Sequence, residues 1–266
     1  MASFLERLSD LRPILLDGAT GTELNRRGVD TGLPLWSANA LLNAPDVLRQ
    51  VHRDYLAAGA EVITANTFRT HRRTLARAGL GDRARELTHL AVNIARESVS
   101  LHAPRSTLHM YVAGSLSPLE DCYSPALVPP QHECLREHAE MACHLAEAGV
   151  DLILVETMNT IREAEAAAQA ARATGLPFAL SFVCRTDGRL FSGETVTDAA
   201  RALERFGPVL LGINCTPAPT IHEPLAELRS GTSRPIYGYT NIGHTDEVQG
   251  WTNTDDVTPD EYAALA

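Results

Sequence analysis

Cys215 follows an apolar run, Pro208 to Ile213, with only Asn214 between them. Five earlier apolar runs also end in polar or small residues, and Asp17, Asn66 and Glu156 are among these. A thiol acts as nucleophile or metal ligand in its thiolate form. Glu156, preceded by mostly apolar residues, is costly to bury without a partner. It fits a ligand-binding carboxylate, or a structural ion pair with an arginine. Asp17 could bind an ammonium group or cap the turn through Gly18-Ala19-Thr20-Gly21. Gly18 and Gly21 allow a tight turn and a close backbone approach to a ligand. The amide of Asn66 donates and accepts at once, and Asn is also an ordinary turn residue. Cys215 reads as a metal ligand, a nucleophile or a small buried hydrophobe. Cys184 ends another run and carries a weaker version of the same signal. Asn241 follows a seventh run and would face the same mouth.

These groups need a scaffold that brings strand ends together. The apolar runs predict strands at Pro13–Asp17, Glu61–Ala65, Leu108–Ala113, Val150–Val155, Phe178–Val183, Val209–Ile213 and Pro235–Tyr239. Helical patterns lie between them, at about Pro45–Ala58, Thr70–Ala78, Asp82–Leu101, His132–Ala148, Ile161–Ala173, Val196–Phe206 and Pro224–Arg229, with another opening at Pro259. The segment 114–130 reads as a long loop, and a polar loop runs to Thr258. Alternating strands and helices imply parallel pairing through right-handed crossovers. Strand interiors apolar on successive residues fit a sheet covered on both faces. The fold class is therefore α/β in a single domain, 1–266, whose parallel sheet is either a (β/α)8 TIM-type barrel, incomplete in this chain, or open. Such a barrel takes eight units and about 250 residues. Seven strands are read, so strand eight and its helix are expected to be missing. No Gly-x-Gly-x-x-Gly follows the first strand, which leaves a dinucleotide fold little support.

A formal net charge of -10 over 266 residues argues against an extended nucleic-acid surface. The arginines of 69–73 are expected on a solvated helix face. No apolar stretch approaches the ~18 residues that span a bilayer, and the N-terminus lacks a secretion-signal pattern. Five cysteines then read as free thiols or metal ligands in a reducing cytosol, so a cytoplasmic protein is expected. His132, Cys134, His138, Cys143 and His144 do not have metal-ligand spacing. Cys134 and His138 lie one turn apart, on the stripe of Met141 and Leu145, and are expected to face packing.

Five segments in order resemble the homocysteine S-methyltransferase family: Asp17-Gly18-Ala19-Thr20-Gly21-Thr22, Ala65-Asn66-Thr67-Phe68, Val155-Glu156-Thr157, Gly212-Ile213-Asn214-Cys215 and Tyr239-Thr240-Asn241-Ile242-Gly243. The resemblance implies a (β/α) barrel holding zinc through three cysteine thiolates, with Cys215 as the first. It implies that Asp17, Gly18 and Glu156 hold the amino-acid end of homocysteine. Asn66, Asn214 and Asn241 are further substrate-binding candidates, and Cys215 and Glu156 are the catalytic ones. The family's other two ligands lie in a Gly-Gly-Cys-Cys motif that this sequence lacks, which is the same departure as the missing strand. The implied reaction moves a methyl group from a sulfonium, S-methylmethionine or S-adenosylmethionine, to zinc-bound homocysteine, giving methionine. Betaine is the next candidate donor. Expected partners are therefore homocysteine and a small methyl donor, with no nucleic acid, no membrane, and a homo-oligomer as an option. A different class would be an inactive truncated barrel that binds an amino acid or a partner. A third reading makes Cys215 a nucleophile, with His244 as the histidine nearest a strand end.

Overall fold

The computed structural model describes residues 3–10, 12–103, 109–246, 250–253 and 257–264. Six parallel strands pair in chain order: β1 (Val62–Ala65), β2 (Tyr111–Leu116), β3 (Leu152–Met158), β4 (Phe178–Phe182), β5 (Leu210–Pro217) and β6 (Ile236–Asn241). Helices connect them, the longest being Ala84–His102 and Gln131–Ala148. The chain is thus α/β with a curled parallel sheet.

Each strand's alternation decides what it packs against. One face carries Ile63, Val112, Leu116, Ile153, Val155, Leu180, Leu211 and Ile213 against the helices, all at most 1% exposed. The other face points into the curl. Val62, Tyr111, Ala113, Leu152, Leu154 and Ala179 form a separate apolar cluster there, joined by Leu16 and by Tyr237 of β6. Because Leu16 and Tyr237 belong to opposite ends of the strand order, their shared cluster requires the sheet to curve.

Along the inner face the side chains change character from bottom to top. The lower positions are apolar. Toward the C-terminal ends they become Thr64, Ser115, Glu156, Ser181 and Asn214, staggered along the pairings: Thr64 pairs with Ala113, Ser115 with Leu154 and Ser181 with Gly212. The same pleat that fills the core therefore collects the polar groups at one end.

Several elements differ from the sequence-based expectation. The strand predicted at Pro13–Asp17 is reduced to a single parallel bridge, Leu16 to Val62. Leu15 O accepts from the backbone N–H of Glu61 and of Val62, and Asp17 N donates to Val62 O. Pro13 has no N–H to extend the ladder, and its carbonyl accepts from Arg7 Nη2 at 2.8 Å. The strand predicted at Leu108–Ala113 runs instead to Leu116. Gly114 had marked a loop, but it lies in β2, where a Cβ would come within 2.7 Å of Leu145 Cδ2. The glycine is there to let the helix Gln131–Ala148 approach. The helix predicted at Thr70–Ala78 is shorter, Arg72–Ala76, and Pro224–Arg229 is longer, His222–Gly231. The polar loop after Asn241 contains an antiparallel pair, β7 (Gly243–Asp246) with β8 (Gly250–Asn253). The side chains of His244 and Trp251 lie outside the described residues.

The helix Ile161–Ala173 illustrates local logic. Thr160 caps it by accepting from Glu163 N at 3.2 Å. Its buried face is mostly alanine, including Ala164, Ala167, Ala168 and Ala171, none of them exposed. Small side chains allow it to lie close to its neighbours. Cys134 and His138 are fully buried as packing residues, and Glu163 Oε1 lies 3.3 Å from His138 Nε2.

Candidate active site

The polar ends of the strands open into a cavity of about 1080 Å³. Asn66, Glu156, Asn214, Cys215 and Asn241 all line it. Asp17 and Gly18 stand beside it, next to the lining residue Ala19.

Two matched irregularities shape its floor. The β3–β4 pairing shifts register between Val155 and Met158, and the β5–β6 pairing shifts between Asn214 and Thr216. At these two places the backbone turns left-handed on non-glycine residues, Thr157 at φ 63° and Cys215 at φ 52°. Such bulges re-aim side chains. A β-branched residue at positive φ is strained and needs surroundings that hold it there.

Asn214 is what holds both. Its Oδ1 accepts from Thr157 N at 2.8 Å and from Ser181 Oγ at 2.7 Å. Its Nδ2 donates to Thr157 Oγ1 at 2.8 Å, to Glu156 Oε2 at 3.2 Å and to Cys215 Sγ at 3.3 Å. One buried carboxamide thus ties the two bulges together and faces the carboxylate and the thiol. Thr157 Oγ1 lies 3.6 Å from the same sulfur, and Asn241 hydrogen-bonds to it and to Tyr123.

The two carboxyls have no cation beside them among the described residues. Asp17 is 6% exposed and accepts from Thr64 N at 2.7 Å and Thr64 Oγ1 at 3.0 Å. Glu156 accepts from Ser115 Oγ and from Asn214. Burial pushes both carboxyls up to about 7, with the charge of Asp17 adding a smaller part of the rise at Glu156. The ion pair with an arginine considered for Glu156 is not what this residue makes. Nor does Asp17 cap its own turn, because the helix Thr20–Arg26 has Ala19 at its N-cap and no side-chain cap. Burial, then the nearby Glu156, pushes the Cys215 thiol up to about 12. At neutral pH such a thiol is protonated, so it becomes a thiolate only with a cation beside it.

Asn66 is buried and donates from Nδ2 to Ser37 O at 2.8 Å, fixing the segment that carries Trp36. Gly18 lies under the Tyr55 ring, where a Cβ would meet Cε1 at 2.6 Å. Cys184 sits apart from the cavity lining: it is buried, and its N–H donates to Thr216 Oγ1 at 3.0 Å.

Several cavity residues were not legible in the sequence. Ser115 was hidden by the misplaced end of β2. Trp36, Phe68, Tyr123 and Phe191 line the mouth as two edge-to-face pairs, Trp36–Phe68 at 5.5 Å and Tyr123–Phe191 at 5.3 Å. Loop aromatics carry no periodic signal. Of the arginines of 69–73, only Arg72 is exposed on a helix as expected, paired with Asp82 and Glu140. Arg69 lines the cavity. His71 is buried and caps the helix Arg72–Ala76, accepting from Thr74 N. Arg73 is bonded to Glu120, Glu133 and Glu137.

Among the described residues, no three His, Cys, Asp or Glu side chains are grouped so that they could hold a metal ion. Cys215 supplies one soft donor, so the described residues do not by themselves fit a three-thiolate zinc site. No helix among them is long and apolar enough to cross a membrane.

Comparison with known proteins agrees with this geometry. Homocysteine S-methyltransferase YbgG of Bacillus subtilis is 31% identical over 283 residues, covering 98% of this chain and 88% of its own. A selenocysteine methyltransferase of Astragalus bisulcatus is 29% identical, covering 95% of this chain and 83% of its own. The crystal structure of the homocysteine methyltransferase MmuM of Escherichia coli in its metallated form superposes with a TM-score of 0.85, at 29% identity and 98% coverage of both chains. The sequence profile of homocysteine S-methyltransferases matches residues 14–266. With a profile match over nearly its whole length, this chain belongs to the homocysteine S-methyltransferase family.

Proposed function

We propose that this protein transfers a methyl group from a small sulfonium donor, S-methylmethionine or S-adenosylmethionine, to the sulfur of homocysteine, giving methionine. The observation that carries this reading is the pair of buried carboxyls, Asp17 and Glu156, with no cation beside them, next to the Cys215 thiol. An amino acid's ammonium group supplies the missing charge. With the ammonium between Asp17 and Glu156 and the chain end at Gly18, the acceptor sulfur points toward Cys215. Asn214 serves substrate by fixing Glu156 and Cys215, Asn66 by fixing the Trp36–Ser37 segment, and Asn241 from the far wall.

In the reaction the S–CH3 bond of the sulfonium breaks as the acceptor sulfur forms its own bond to that carbon. The donor leaves as a neutral thioether, and the acceptor's thiol proton is released. Glu156 acts in its ionised form, holding the ammonium so that the acceptor sulfur is fixed beside Cys215, and the thiol proton leaves to solvent. Holding the donor carbon in line with the acceptor sulfur supplies much of the rate. The paired aromatics at the mouth suit a sulfonium, whose positive charge is attracted to ring faces.

The metallated form of the Escherichia coli relative supports a metal here as well. We assign zinc as that metal and Cys215 as one of its ligands. The same reading takes residues 1–266 as one TIM-type barrel domain, located in the cytoplasm and free to form homo-oligomers.

The test is methionine formation from homocysteine with each donor in turn: S-methylmethionine, S-adenosylmethionine and betaine. Activity with a sulfonium that is lost in Cys215→Ser supports the reading. Undiminished transfer and zinc content in Cys215→Ser contradict it. No transfer from any donor, with homocysteine still bound, would favour an amino-acid-binding barrel instead.

A further inference from the structure

The chain has no lysine, so all 23 of its strongly basic side chains are arginines. With 33 carboxylate side chains against 23 arginines, a guanidinium usually finds a partner. Around the cavity, Arg77 donates to Glu120 and Arg73 reaches three glutamates. Arg69 is different. It lines the cavity with its guanidinium carbon 5.5 Å from the centre of the Phe68 ring, and it has no carboxylate partner among the described residues. Its Nε is buried and makes no hydrogen bond there. The guanidinium thus stands at the cavity as a cation with no carboxylate partner among the described residues, and a charge so placed is open to an anionic ligand.

The position of Arg69 decides what that partner is. Its charge acts on Cys122 and His71, and Cys122 in turn feels Cys215. It does not contribute to the surroundings of Asp17 or Glu156. An α-amino acid carries its ammonium and carboxylate on the same carbon. A homocysteine held by Asp17 and Glu156 therefore keeps its own carboxylate at that pole, away from Arg69. The anion at Arg69 therefore belongs to a second molecule, and Arg69, Cys122, Tyr123 and Cys215 share the lining of the one cavity that would hold it.

We propose that Arg69 binds the carboxylate of the methyl donor, so that the donor is a cation that also bears a carboxylate. This rests on the reading given under Proposed function and adds the residue that selects the donor. The guanidinium fork matches a carboxylate with two parallel hydrogen bonds, and its stacking on Phe68 fixes the plane of that fork. The donor would then span the cavity with its carboxylate at Arg69 and its sulfonium directed toward Cys215. Arg69 is a positioning and specificity residue, with no part in bond making.

The test is calorimetric binding of two probes to the full chain: S-methyl-L-methionine, and the same sulfonium without its carboxylate, (3-aminopropyl)dimethylsulfonium. Homocysteine is titrated in parallel. Wild-type protein is expected to prefer the carboxylate-bearing probe by about 30-fold or more, the range for losing one partner of a desolvated charge pair. Arg69→Ala should erase that preference while leaving homocysteine affinity unchanged. Arg69→Lys should keep part of it, which separates a missing charge from a misfolded wall. A preference that persists in Arg69→Ala overturns the assignment alone. So does a loss of homocysteine affinity in that variant with the donor preference intact, because Arg69 would then serve the acceptor. If wild-type protein binds homocysteine but neither sulfonium, both this assignment and the sulfonium-donor reading fall.

Discussion

The two ends of the sheet treat buried carboxylates in opposite ways. At the N-terminal end, Glu61 enters β1 with Arg7 bonded to both of its oxygens, at 2.7 and 2.8 Å. That guanidinium also donates to the carbonyls of Arg12 and Pro13. Asp151, just before β3, accepts from Arg96 at 2.6 Å and from Val112 N at 2.7 Å. At the C-terminal end, Asp17 and Glu156 have hydroxyl, amide and backbone donors and no cation among the described residues. The first arrangement is complete within the chain. The second is, in the function proposed above, completed by a ligand. On that reading the same residue types serve stability at one end of the sheet and recognition at the other, as the separation of roles in parallel barrels leads one to expect.

The sharpest way to break this comparison is to remove one carboxylate from each end. Glu61→Gln leaves the Arg7 charge buried without its partner, and breaking such a pair costs about 3–5 kcal/mol. For a chain of this length, that amounts to a drop of about 10 °C in melting temperature. Methyl transfer per folded molecule should be unchanged. Asp17→Asn should do the reverse, raising the KM for homocysteine by about 100-fold with little loss of stability. A melting curve and a homocysteine titration on the two variants check both statements.

Asn214→Ala should fall between them and affect both properties. It strips partners from Thr157 N, Ser181 and Glu156 at once. A cost of about 2–3 kcal/mol in stability should come with a fall in kcat per folded molecule, because the bulges carrying Glu156 and Cys215 lose their tie. Unchanged kcat in a well-folded Asn214→Ala would show that the bulges hold themselves.

The pH dependence follows from the raised carboxyls. Both sit near 7 in the folded chain and return to the ordinary carboxylate range on unfolding. Between those values the folded state binds more protons than the unfolded one, so their contribution to stability falls as pH rises through this window. Ammonium binding needs the ionised forms, so homocysteine affinity should weaken as pH drops below about 7. The pair titrates jointly. Asp17→Asn removes the charge that raises Glu156, so the acid limb of 1/KM should move to lower pH. A limb that stays in place would assign it to another group.

The smallest expected effect tests packing inside the curl. Gly212 faces Tyr237 across the β5–β6 pairing, and a Cβ there would come within 2.4 Å of the Tyr237 ring. Gly212→Ala should cost about 1–3 kcal/mol through overpacking. It should also shift the ring that lines the cavity beside Glu156, giving a modest rise in the KM for homocysteine. Thermal unfolding and steady-state kinetics would record both.

Much of this was legible in the sequence where apolar runs end abruptly. The alternation of strands and helices and the parallel sheet follow from runs such as Leu152–Val155. The strand-end groups Asp17, Glu156, Asn214 and Cys215 follow from polar residues placed directly after such runs. Ser115 was missed because Gly114 looked like a loop, when its missing side chain serves helix packing inside β2. Arg69 was missed because a cluster of arginines suggests solvent, yet the neighbouring Phe68 and the strand end turn this one inward. The left-handed backbone at Thr157 and Cys215 has no sequence signal, since neither residue type favours it. At Thr157 it is held by Asn214 from a different strand, and Cys215 is the next residue after that asparagine.

The most direct test of the central claim is the affinity of Glu156→Gln for homocysteine, measured by calorimetry beside its melting temperature. The account predicts binding weakened by about 100-fold with a melting temperature at or above that of the wild type, because the variant removes a buried carboxyl that no cation balances. Unchanged homocysteine affinity, or a collapse in melting temperature like that expected for Glu61→Gln, would contradict it.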